Sequence, residues 1–128
     1  MEPVPGLHLT ADLYQCHCDD AWLTDAERLG DWCLHAVSAA GLQPLVHVFR
    51  PVAGVDGGPA GVSGAVLLAG SHVCLHASAQ ERTVVADVFL GEADDAHRVR
   101  ARALMDAVLE RFQPEWTEQR SLDRGDGQ

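Results

Sequence analysis

Residues 63–90, SGAVLLAGSHVCLHASAQERTVVADVFL, decide the fold. Ser63 to Ala69 is apolar on both faces, the pattern of a central strand. Val73 to His76 and Thr83 to Leu90 are two further strands, joined as a hairpin, which sets antiparallel pairing. Upstream, His8 to Tyr14 alternates, with Leu9, Ala11 and Leu13 on one face and His8, Thr10, Asp12 and Tyr14 on the other. Thr24-Asp25-Ala26-Glu27 reads as a capping box, and behind it Ala26, Leu29, Cys33, Ala36, Val37 and Ala40 recur at helical spacing up to Gly41. Leu45 to Phe49 predicts a strand closed by Pro51, and Ala53 to Ala60 a loop. Downstream, Asp94 or Asp95 caps a helix with apolar positions Ala96, Val99, Ala103, Ala107 and Val108, ended by Pro114. A short strand over Glu115 to Arg120 closes a single domain of residues 1–120, and a polar, disordered tail is expected over 121–128. The order β-α-β-β-β-β-α-β predicts an α+β two-layer sandwich, an antiparallel sheet with two helices on one face.

Composition narrows the function. The 128 residues carry 9 Lys+Arg against 19 Asp+Glu, a formal charge of −10, so no basic surface exists for nucleic acid or anionic lipid. A 47% hydrophobic share is that of a folded domain. The first residues show no signal peptide and no apolar run spans a bilayer, so the expected compartment is the cytoplasm. Cys16, Cys18, Cys33 and Cys74 are then expected as thiols. Cys16-His17-Cys18 with Cys33 and His35 offers metal-binding atoms, yet on a helix Cys33 and His35 point about 200° apart. No metal site is expected. His8 and His47 read as structural, each in a strand pattern with no partner identified.

The stretch that carries chemistry is Gly61-Val62-Ser63-Gly64 followed by Gly70-Ser71-His72 and His76. Together with Gly6-Leu7-His8-Leu9-Thr10, Leu13-Tyr14, His47-Val48-Phe49-Arg50-Pro51 and Ala86-Asp87-Val88-Phe89, it resembles the short prokaryotic class of S-adenosylmethionine decarboxylase proenzymes over roughly residues 6–112. The resemblance implies a homodimer that cuts itself between Gly70 and Ser71 and converts Ser71 into a pyruvoyl group. That carbonyl would form a Schiff base with the substrate amine and accept electrons during decarboxylation, a step of polyamine (spermidine) synthesis. By the same resemblance His76 and Ser63 serve processing, Phe49 stacks the substrate adenine, and Gln80 or Glu81 holds the ribose hydroxyls.

This sequence departs from the family pattern at several points. Gly70 stands where the family has glutamate, and Ala77-Ser78-Ala79-Gln80 where it has Thr-Trp-Pro-Glu. Gly91 occupies the place of the proton-donating cysteine, which makes Cys74 the candidate replacement and predicts that Gly91→Cys raises turnover. Two other readings stay open at this point: a pyruvoyl decarboxylase of a basic amino acid such as ornithine or arginine, and an unprocessed homologue that binds a nucleoside or a catalytic paralogue.

Overall fold

Strand alternation builds a six-stranded antiparallel sheet in the computed structural model, which describes residues 4–125. In chain order the elements are β1 (Gly6–Cys16), α1 (Ala21–Thr24), α2 (Ala26–Ala39), β2 (Pro44–Ala53), β3 (Pro59–Leu68), β4 (Ser71–Ser78), β5 (Thr83–Leu90), α3 (Asp95–Phe112) and β6 (Pro114–Arg124). Their order across the sheet is β2-β3-β4-β5-β1-β6, so β3, β4, β5 and β1 are central. The expected α+β two-layer sandwich is the one observed.

One sheet face is apolar because every second residue is. Leu7, Leu9, Ala11 and Leu13 of β1, Val73, Leu75 and Ala77 of β4, and Val84, Ala86, Val88 and Leu90 of β5 are all buried. Helix α2 packs over β2 and β3, and α3 over β5 and β1. Leu29, Cys33 and Val37 of α2 and Leu104, Met105, Val108 and Phe112 of α3 fill the layer between. Each fully buried Leu or Phe contributes about 1.5–3 kcal/mol of transfer free energy. No helix among the described residues is long and apolar enough to cross a membrane.

Several boundaries differ from the sequence expectation, each for a local reason. Asp25, not Thr24, caps α2: its carboxylate accepts from the Arg28 amide at 3.0 Å, while Thr24 Oγ1 donates to the Asp20 carbonyl at the end of the short α1. Pro51 does not close β2, since β2 is an edge strand, where a missing N–H is tolerated, and the strand runs on to Ala53. Much of the expected 53–60 loop is therefore hairpin, with β3 starting at Pro59. β6 continues through Arg124 because it stays paired with β1, Gly6 lying opposite Arg124. Residues 121–124, expected in the disordered tail, are strand, and 126–128 lie outside the described residues.

Candidate active site

Among the described residues no helix covers the second sheet face, which carries polar side chains beside exposed apolar ones. Ser63 of β3 and His76 of β4 are direct cross-strand partners on it. Ser63 Oγ and His76 Nδ1 lie 2.9 Å apart, and the hydroxyl donates when Nδ1 is unprotonated. That is the geometry a base needs to polarise a hydroxyl.

Next to this pair, Asp87 of β5 gathers two histidines. Its Oδ1 pairs with His8 Nε2, and its Oδ2 lies 3.7 Å from His72 Nε2. Phe89 lies between these two imidazoles, with ring centroids 5.8 Å from His8 and 5.5 Å from His72. His8 thus has the partner its strand pattern did not reveal. Cys74 faces Asp87 across the β4–β5 ladder, and its thiol pKa is raised, first by burial and then by the Asp87 charge. It is held as the neutral thiol, a form with a proton to give. The role of Asp87 was missed from the sequence, although a lone carboxylate inside Val84–Leu90 was the available signal.

Ser71 occupies a different place. Leu68 and Ser71 close the β3–β4 hairpin around Ala69 and Gly70, and Gly70 has φ +68°, which favours glycine at the second turn position. The Gly91 amide, just past β5, donates to Ser71 Oγ at 2.9 Å. Ser71 and the Ser63–His76 pair are five register steps apart, about 17 Å along the strands. Cys74 is three residues from Ser71, about 10 Å by the same rise. Gln80 and Glu81 are exposed in the β4–β5 turn, at the end of β4 away from Ser71. Within one protomer the structure brings Ser63 and His76 together and keeps both apart from Ser71.

Phe49 lies on the opposite face of the sheet. Its ring packs under α2, where a Cβ on Gly30 would sit 3.1 Å from it and a Cβ on Gly64 only 2.0 Å away. Gly64, the second glycine of Gly61-Val62-Ser63-Gly64, thus makes the space that seats this ring. Of the other cysteines, Cys33 is buried, with its thiol pushed up to about 12 by burial. Burial first, then the neighbouring Cys18, raises Cys16 to about 11.

Comparison with known proteins connects this geometry to a chemistry. A family model described as S-adenosylmethionine decarboxylase matches residues 7–125. The chain belongs to that family. As a member of the S-adenosylmethionine decarboxylase family it is a carboxy-lyase. It is 30% identical over 122 residues to an S-adenosylmethionine decarboxylase proenzyme of Hydrogenobaculum sp., covering 94% of this chain and 81% of that one. A proenzyme of the same name from Acidithiobacillus ferrooxidans is 33% identical over 84 residues, 66% of this chain and 58% of its own. The crystal structure of the adenosylmethionine decarboxylase from Aquifex aeolicus superposes with a TM-score of 0.79 at 23% identity, over 100% of this chain and 96% of that one, which shows the shared fold.

Proposed function

We propose that this chain is a proenzyme that breaks its own Gly70–Ser71 bond, converts Ser71 into a pyruvoyl group and decarboxylates S-adenosylmethionine with it. The observation that carries this reading is Ser71 itself: it heads β4 directly after a tight turn, with its Oγ held by the Gly91 amide. In the first step Ser71 Oγ bonds to the Gly70 carbonyl carbon and the carbon–nitrogen bond breaks. The hydroxyl proton passes to the departing nitrogen, leaving an ester. Loss of the Ser71 Cα proton then expels the Gly70 carboxylate, and water releases ammonia from the resulting dehydroalanine. A serine at an exposed turn with a tethered oxygen suits that conversion. The pyruvoyl carbonyl supplies an electron sink for the bond to the departing carboxylate.

The chain's own groups do the rest. His76, hydrogen-bonded to Ser63, moves protons during processing. Cys74, kept protonated by burial and Asp87, returns a proton to the substrate carbon. Gln80 or Glu81 holds the ribose hydroxyls. Phe49 faces α2, so stacking on adenine would require its ring to leave the space between Gly30 and Gly64.

The separation of Ser71 from its partners supports a homodimer through the open sheet face. That face exposes Val46, Val48, Leu67, Val85, Trp116 and Leu122, each between 48% and 59% accessible and spread from β2 to β6, apolar side chains of the kind that a partner covers. The proposed dimer sets the sheets face to face, so that one protomer's Ser63, His76 and Cys74 reach its partner's hairpin tip. Four free thiols agree with a cytoplasmic enzyme, and S-adenosylmethionine as substrate agrees with a place in polyamine synthesis.

Carbon dioxide release from carboxyl-labelled S-adenosylmethionine, ornithine and arginine tests the activity, with Ser71→Ala as the control. Release from S-adenosylmethionine that Ser71→Ala abolishes is expected. Release from a basic amino acid alone would replace the substrate, and silence on all three would sink the enzyme reading.

A further inference from the structure

We infer that Gly91 is a positioning residue for the self-cleavage step, acting through its amide and through the absence of a side chain. The inference rests on the cleavage proposed above and deepens it. The sequence expectation was that the family's cysteine had simply been lost here and that Gly91→Cys would restore a proton donor. The geometry says otherwise. A Cβ at position 91 would lie 2.6 Å from the Gly70 carbonyl oxygen, 3.5 Å from its carbon and 3.8 Å from Ser71 Oγ. The atom in the way is backbone, in a turn whose Gly70 φ of +68° defines where that carbonyl sits. A side chain at 91 therefore moves the bond to be broken.

Gly91 also contributes an atom. Its N–H donates to Ser71 Oγ at 2.9 Å, fixing the oxygen that must bond to the Gly70 carbonyl carbon as the carbon–nitrogen bond breaks. The donor favours negative charge on Oγ as the hydroxyl proton leaves. Gly70 and Gly91 are thus two halves of one arrangement. The bare Cα at 91 makes room for the carbonyl that the left-handed Gly70 puts there, and the amide at 91 aims the nucleophile.

The test is the cleavage rate of freshly refolded chains, read by denaturing mass spectrometry, for wild type, Gly91→Ala and Gly91→Cys. Circular dichroism and melting establish that each is folded. Misplacing the reacting pair is expected to slow cleavage about 10²-fold in both variants. Hydroxylamine, which splits esters, identifies the step affected, and the slowed chains should give no more hydroxylamine-released fragment than background. Should Gly91→Ala fold poorly, an ester in place of the Leu90–Gly91 amide removes the N–H without adding a Cβ, and it too should slow cleavage. Wild-type cleavage with undiminished rates in the folded variants would overturn the role of Gly91 and leave the cleavage reading intact. Accumulated ester in Gly91→Ala would also overturn it, since the block would then follow the attack. An uncleaved wild type would overturn the cleavage reading itself.

Discussion

The proposed site depends on single atoms that differ in how they were read. Ser63, Ser71 and His76 are legible in the sequence through the resemblance to the family's motifs, and the observed register then sets Ser63 opposite His76 with Leu68 opposite Ser71. Phe49 was not legible in the same way. Leu45-Val46-His47-Val48-Phe49 is apolar at both parities, so no pattern says which face the ring takes. Asp87 was missed because its role is set by His8 and His72 from two other strands. Two substitutions separate the proposed roles. His76→Ala removes the partner of Ser63 and should slow chain cleavage, seen as persistent intact mass. Cys74→Ala should leave cleavage unchanged and lower carbon dioxide release about 10²–10⁴-fold, the usual worth of a placed general acid. Equal turnover in Cys74→Ala would assign the proton to another group.

Elements were read best where one face is buried and worst at their ends. β5 came out as expected, Thr83 to Leu90, because its alternation is strict. β6 was expected too short, because its side chains are exposed or only half-buried throughout, which leaves no alternation to follow, and its length is set by pairing with β1. The capping box failed because Asp25 competes with Thr24 for the free amides of α2. Asp25→Ala should therefore destabilise the protein by about 1 kcal/mol in denaturant melts, and Thr24→Ala by less. The buried thiols give a pH dependence with a definite sign. An unfolded chain loses the Cys16 and Cys33 protons near the ordinary value of 9.0, whereas the folded chain keeps them to about 11 and about 12. Above pH 9 the unfolded state binds fewer protons, so stability must fall with rising pH. Melts across the alkaline range should show this loss, and Cys33→Ala should flatten it.

At the scale of the molecule, the two-layer architecture leaves one face of a six-stranded sheet bare, with the proposed catalytic groups divided along β4. The order of strands and helices along the chain is enough to predict the layers. It does not predict the division, because the expected strand begins at Val73 and leaves Ser71 outside it, whereas β4 starts at Ser71 and carries both Ser71 and His76. If sites are shared across a two-fold dimer, co-expressed Ser71→Ala and His76→Ala chains should regain activity, to about a quarter of wild type for random pairing, since half the dimers are mixed and each holds one complete site. Sites contained within one protomer would give none. Self-conversion of Ser71 precedes all of this chemistry, and the intact mass of the purified protein under denaturing conditions reports it directly. Two masses are expected: one piece ending at Gly70, and one beginning at residue 71 with a pyruvoyl group and no free amino terminus. A single uncut chain of 13.7 kDa after prolonged incubation, indistinguishable in behaviour from Ser71→Ala, would contradict the account.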